Sequence, residues 1–239
     1  MQPEPRFWAV IPAAGVGMRM GGAIPKQYLA LAGRTLIEHV LDIFLLHPRI
    51  AGVTVAVAAD DPCWQRCLPR SRDKPLRIAA GGAQRAHSVL NALHSLRDEL
   101  QPRDWVLVHD AVRPCLHRSD LERLMQTLMD DPVGGILAAP LVDTVKRVDA
   151  EGRVLETPSR PGLWRAFTPQ MFRYGPLTAA LQAALQSGRL PTDEAEAVEA
   201  ERKGEVRVVE GRNDNIKITH PEDIILAEAI LARRAGGNT

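Results

Sequence analysis

The chain has 239 residues, with 30 Lys and Arg against 29 Asp and Glu for a net charge of +1. That balance argues against a general nucleic-acid binder, which carries a basic stripe, and a composition 45% hydrophobic and 25% charged excludes a disordered chain. No uncharged apolar run reaches the about 18 residues of a membrane span, and Met1-Gln-Pro-Glu-Pro-Arg-Phe-Trp8 has prolines and an acid where a secretion signal needs an apolar stretch. A cytoplasmic protein is expected, with neither nucleic acid nor membrane as partner. Cys63, Cys67 and Cys115 form no CxxC pair, which argues against a disulfide framework and a thiolate zinc site.

In chain order, the apolar run Phe7–Pro12 reads as a buried strand opening into the glycine-rich stretch 13–22. Thr35-Leu-Ile-Glu38 is a capping box, followed by Leu36, Ile37, Val40, Leu41, Phe44 and Leu45 at helical spacing. Strands are expected at Val53–Ala59 and Leu76–Ala80, the latter ending in Gly81-Gly82 before a helix through Val89, Leu90, Leu93 and Leu96. A fourth strand, Trp105–His109, ends at Asp110. Ser119-Asp-Leu-Glu122 reads as a second capping box, and Gly135–Ala139 as a fifth strand. Unbroken apolar strands alternating with helices describe an α/β doubly wound, mostly parallel sheet covered on both faces.

The middle of the chain breaks this rhythm. Asp143–Val148 and Arg153–Thr157 flank the turn signal Asp149-Ala-Glu-Gly152, giving a protruding, polar-rich β-hairpin arm within residues 141–160. A lone hairpin is marginal in water, so a second subunit is its expected support. Leu163–Phe167 then resumes the sheet. A helix runs from Gly175-Pro176 to Gly188, another opens at Thr192-Asp193, Glu205–Val209 is a strand, and Thr219 with Glu222 caps a last amphipathic helix. One domain over 1–239 with the arm inserted in it is the expected organisation.

Two segments carry chemistry. Gly15-Val-Gly17 follows a strand, but Met20 stands where GxGxxG needs glycine and no Walker lysine follows Gly22. Arg19 and Lys26 beyond it read either as solvated loop charges or as cations beside a backbone cradle for phosphate. Asp110 stands just past a parallel strand, where open α/β sheets bind ligands. It reads either as a turn residue or as a hard-oxygen ligand for a divalent cation.

Pro12-Ala-Ala-Gly-Val-Gly-Met-Arg19 with Pro25-Lys-Gln-Tyr28 resembles the signature of nucleotidyltransferases with a GT-A-like, Rossmann-like fold. The segments Gly81–Ser88, His109–Pro114, Thr168–Gln170, Thr192–Ala195 and Asn215–Thr219, in that order, resemble the 2-C-methyl-D-erythritol 4-phosphate cytidylyltransferases across nearly the whole chain. The resemblance implies transfer of a cytidylyl group from CTP to methylerythritol phosphate, releasing pyrophosphate, in non-mevalonate isoprenoid biosynthesis. It implies that Ala13, Ala14, Gly15 and Gly17 lie along the nucleotide and that Gly82 and Ser88 read cytosine. Arg19 and Lys26 match the transition-state cations, and Asp110 the Mg²⁺ ligand. Arg113, Thr144, Thr168 and Thr192 fall where the polyol phosphate is held. Arg160 and Lys217 match residues that position its phosphate, Arg160 reaching from the other subunit of a homodimer joined through the arm. Ala83 and His87 stand where the family usually or often has acids, and Val112 where alanine is commoner.

The residue types suit this reaction. A phosphate monoester with a second pKa near ~6 is mostly dianionic at neutral pH and needs no general base. Repulsion between two anions is the obstacle, and cations with a metal remove it. A different sugar-phosphate nucleotidyltransferase would share the first loop and Asp110. A non-catalytic nucleotide-sensing module would need the cradle but not the metal aspartate.

Overall fold

The computed structural model describes residues 4–15, 24–67, 69–71, 73–201 and 204–236. The first half runs β1 (Phe7–Pro12), β2 (Ala30–Leu31), β3 (Arg34–Thr35), α1 (Leu36–Leu45), β4 (Ile50–Val57), β5 (Leu76–Ala80), α2 (Arg85–His94) and β6 (Trp105–Val108). It continues with α3 (Arg118–Thr127), β7 (Gly134–Pro140), β8 (Arg147–Val148), β9 (Val154–Glu156) and β10 (Trp164–Arg173). The last elements are α4 (Tyr174–Gln186), α5 (Glu194–Ala200), β11 (Arg207–Glu210) and α6 (Glu222–Gly236).

Seven of these strands form one sheet in the order β11-β7-β10-β6-β1-β4-β5. β1 pairs in parallel with β4 and β6, β4 with β5, and β7 with β11, while β10 runs antiparallel between β6 and β7. The mostly parallel α/β sheet expected from the strand pattern is therefore present. Its direction of winding reverses at β1: the chain steps outward to β4 and β5, then returns to β6 on the other flank. Such a reversal opens a crevice beyond the carboxyl ends of β1 and β6.

The apolar strands owe their continuity to burial on two sides. Phe7, Ala9 and Ile11 of β1 pack with Ile37, Phe44, Leu121 and Leu124 from α1 and α3. Trp8 and Val10 face the other way, among Val89, Leu93, Leu177 and Leu181 from α2 and α4. β6 alternates likewise, Trp105 and Leu107 on the first face and Val106 and Val108 on the second. A strand sandwiched this way has no solvent face to mark with polar residues.

The capping box at Thr35 forms in full, with Glu38 returning to the Thr35 backbone N–H at 2.7 Å. The one expected at Ser119 does not. Helix α3 begins two residues earlier with His117 as its cap, its Nδ1 accepting from the Ser119 N–H at 3.2 Å, and Glu122 pairs with Arg118 instead. At α6, Asp223 rather than Glu222 takes the Thr219 and His220 N–H groups, at 2.7 and 2.8 Å. Gly188 closes α4 at φ 75°, a left-handed position that glycine occupies without Cβ strain.

The arm leaves β7 at Pro140 and returns at Trp164. Its paired strands β8 and β9 are shorter than the sequence suggests, and every residue in them is exposed. Asp149 holds the turn by accepting from the Glu151 and Arg153 N–H groups at 3.1 and 2.8 Å.

Candidate active site

The crevice at the reversal point is a cleft of about 370 Å³. The end of β1 supplies Ala13, Ala14 and Gly15; the loop before α2 supplies Gly82 and Gln84; Arg85 and Ser88 of α2, with Asp110, Lys26 and Lys217, complete its wall. The backbones crowd here for a reason that glycine satisfies. A Cβ on Gly81 would lie 2.1 Å from that of Ala14, and one on Gly82 would lie 2.3 Å from that of His87. Ser88 braces this loop, its hydroxyl accepting from the Gly82 N–H at 3.0 Å and donating to the Gln84 carbonyl at 3.2 Å. Lys26 is brought in by its neighbour: the buried Gln27 donates to the Ala13 carbonyl at 2.6 Å, fastening the segment to the end of β1. Lys26 Nζ itself lies 3.4 Å from the Thr219 carbonyl, on the segment that carries Lys217.

Asp110, at the end of β6, is the electrostatic centre. Its Oδ1 takes Arg85 Nε at 3.2 Å, and its Oδ2 takes Arg113 Nε at 3.3 Å and Lys217 Nζ at 3.0 Å. Burial alone would raise its pKa, but Arg85, Lys217 and Arg113 together hold the carboxyl far below the ordinary range, so it is ionised. A second hollow of about 170 Å³ shares Arg85, Asp110 and Lys217 with the cleft and adds Arg113, Thr168, Gln170, Thr192 and Asp193. Asp110 therefore stands in the wall between two adjoining spaces.

A buried hydrogen-bond chain fixes that wall. The Asp110 N–H donates to Thr168 Oγ1 at 3.1 Å, the Thr168 hydroxyl meets His109 Nδ1 at 3.0 Å, and His109 Nε2 meets the Arg113 carbonyl at 3.0 Å. A carbonyl only accepts, so Nε2 carries the proton and Nδ1 accepts from the hydroxyl. Burial pushes the His109 imidazole down to about 4, in keeping with this neutral tautomer. Arg113 Nη1 donates to the Asn215 carbonyl at 2.8 Å, the Asn215 amide donates to the Thr168 carbonyl at 2.8 Å, and the Ile218 N–H donates to the Val112 carbonyl at 2.9 Å. These bonds pin the Lys217 segment against β6.

Most site residues expected from the sequence are thus gathered. Ala13, Ala14, Gly15, Lys26, Gly82, Ser88, Asp110 and Lys217 line the cleft, and Arg113, Thr168 and Thr192 line the adjoining hollow. Gly17 and Arg19 lie outside the described residues. Thr144 and Arg160 are not gathered: both are exposed on the arm, and Arg160 donates to the Val142 carbonyl within it. Thr192 spends its hydroxyl on Glu196 at 2.8 Å.

Two residues were missed by sequence reasoning. Arg85 makes a two-pronged pair with Glu194, at 2.6 and 3.0 Å, while its Nε holds Asp110. Arg85 follows Gly81-Gly82 as an apparently ordinary helix-surface cation, and Glu194 reads as one more acid in a helix's first turn. The usable signal was position, since each opens a helix within a segment already singled out, Gly81–Ser88 and Thr192–Ala195.

Comparison with known proteins identifies the family. The family described as IspD, 2-C-methyl-D-erythritol 4-phosphate cytidylyltransferase, matches residues 7–233. The enzyme of that name from Pseudomonas putida (strain GB-1) is 57% identical over 221 residues, 92% of this chain and 93% of its own. The crystal structure of the Francisella tularensis enzyme of the same name superposes with a TM-score of 0.82 at 35% identity, covering 94% of this chain and 99% of that one. The corresponding Thermus thermophilus structure gives 0.75 at 31% identity, over 97% and 100%. A crevice at the winding reversal with an ionised aspartate among cations, and likeness over nearly the full length, lead to one conclusion: the chain belongs to the 2-C-methyl-D-erythritol 4-phosphate cytidylyltransferase family.

Proposed function

We propose that the crevice transfers the cytidylyl group of CTP to 2-C-methyl-D-erythritol 4-phosphate by in-line displacement, within isoprenoid biosynthesis by the non-mevalonate route. A phosphate oxygen of the acceptor forms a bond to the α-phosphorus. The bond from that phosphorus to the bridging oxygen breaks, and its electron pair leaves on pyrophosphate. The dianionic acceptor has no proton to lose, so no general base and no covalent enzyme intermediate is required. The observation that carries this reading is Asp110 with its three cations, set between a nucleotide-sized cleft and a second cation-lined hollow.

In this reading the backbone of Ala13, Ala14 and Gly15 lies along the nucleotide, and Gly82 and Ser88 meet the cytosine. Lys26, with Arg19, neutralises the α- and β-phosphate oxygens. Lys217 serves the α-phosphate and the attacking oxygen. Its side chain is 44% exposed at the mouth of both spaces, so it can turn from Asp110 to an arriving phosphate. Arg113, Thr168 and Thr192 border the acceptor.

A divalent cation, Mg²⁺ in the first instance, fits Asp110. The carboxylate is ionised and lines the cleft, and magnesium is usually held by one or two carboxylates, substrate phosphates and retained waters. When bound there it would supply neutralising charge to the nucleotide phosphates.

The active form is a homodimer. Val148, Val154, Leu155, Leu163 and Trp164 are all at least 40% exposed in one copy of the arm region, an apolar surface that a second copy would cover. Arg160, and Thr144 on the same arm, would then reach the acceptor of the opposite subunit. The reaction is cytoplasmic, in keeping with three free thiols, Cys63, Cys67 and Cys115. The test is pyrophosphate release with methylerythritol phosphate and each of CTP, UTP, ATP and GTP. CTP should support turnover and the others should not; equal use of a second nucleotide would overturn the cytosine assignment.

A further inference from the structure

Among the described residues three cations meet Asp110, and they are not equivalent. Lys217 is exposed at its head. Arg113 is anchored on the Asn215 carbonyl. Arg85 is anchored most strongly: Glu194, wholly buried at the first turn of α5, receives both of its terminal nitrogens, leaving Nε for Asp110. Arg85 opens α2, just beyond the loop expected at the cytosine, and Glu194 lies two residues past Thr192 of the acceptor hollow. One guanidinium thus bridges three segments that the mechanism assigns to base, phosphate and acceptor.

We propose that Arg85 is a positioning residue for the transfer, using its Glu194 anchor to aim Asp110 and to set the acceptor hollow against the nucleotide cleft. The physical ground is that a fork bound at two nitrogens has a fixed orientation, so its third donor points at a fixed place. Without Arg85, two buried carboxylates face each other with one fewer cation between them. This inference rests on the mechanism above and adds the residue that holds its parts in register.

The test uses the full-length enzyme and three variants, Glu194→Gln, Arg85→Lys and Arg85→Gln. Steady-state kinetics with CTP and methylerythritol phosphate are read beside thermal melts and calorimetric titration with CTP in the absence of divalent metal. Glu194→Gln keeps shape and retains Arg85 but loosens its anchor. Its kcat should fall about 10–100-fold, as for other residues that orient a metal-binding carboxylate. KM for the acceptor should rise, while CTP affinity stays at the wild-type value. Arg85→Lys keeps the charge without the fork and should lose as much as Arg85→Gln. Wild-type kcat and KM in Glu194→Gln overturn the proposal, as does full activity in Arg85→Lys. A loss of CTP affinity matching the loss of kcat overturns it too, since Arg85 would then be a direct nucleotide contact. Should Arg85→Gln fail to fold, the other two variants decide. If the wild-type enzyme itself releases no pyrophosphate from CTP, the mechanism falls. If wild-type turns over and Glu194→Gln matches it, only the role of Arg85 falls.

Discussion

The crevice and the arm are built by opposite rules. Around Asp110 the charged groups other than Lys217 are partly or wholly buried, and Arg85 and Arg113 each hold a second partner that fixes their direction. On the arm, Arg147 and Glu156 pair in open solvent, and Val148, Val154 and Leu155 are each at least half exposed in one chain. The difference shows what a single chain can prearrange. A sheet that excludes water can hold opposed charges at defined distances before any substrate arrives, where each is worth far more than at a surface. A two-stranded hairpin cannot. The part proposed for it in the chemistry depends on what covers it.

The largest effect should come from breaking the crevice's charge. Lys26→Ala is expected to lower kcat by about 10²–10³ with an unchanged thermal midpoint, read by pyrophosphate release. Turnover near wild type would mean that the cleft holds this cation for another purpose.

Next in size is the buried chain through His109. Its imidazole is held at about 4 when folded, against 6.5 unfolded. As pH drops below 6.5 the unfolded chain takes up a proton that the folded one refuses until about 4, so stability is lost across that window and is complete above it. The contribution is about 3 kcal/mol. Urea titrations from pH 4 to 7 should show this slope, and His109→Asn should reduce it; equal slopes would remove His109 as the cause.

The arm should respond only in association. Leu155→Asp is expected to weaken the proposed dimer by about 2 kcal/mol, in the range of a buried interface anchor, visible as monomer in sedimentation while the monomer's own stability holds. Smallest of all, Arg147→Ala should change stability by less than about 1 kcal/mol, because both it and its partner are exposed. A larger loss would show that the hairpin is held by charge.

The same contrast explains what could be read from the sequence. Strand identity and parallel pairing were legible because two-sided burial writes continuous apolar runs, as in Phe7–Pro12 and Trp105–Val108. Asp110 was legible because strand ends of such sheets bind ligands. The start of α3 was misplaced because a histidine cap leaves a weaker mark than serine followed by glutamate. Arg85 and Glu194 stayed hidden because their pairing joins positions 109 residues apart, and each alone resembles an ordinary helix-end charge. Thr144 and Arg160 were named through family likeness, and one chain gives them no place in the cleft.

The central claim is that one nucleotide fits this ring of charge in one orientation. A crystal structure of the enzyme with CTP would test it most directly. It should show cytosine against Gly82 and Ser88, phosphates between Lys26 and Lys217, and Lys217 turned from Asp110 toward the α-phosphate while Arg85 stays on Glu194. Phosphates lodged among Arg113, Thr168 and Thr192, or a base away from the Gly82 loop, would contradict the account.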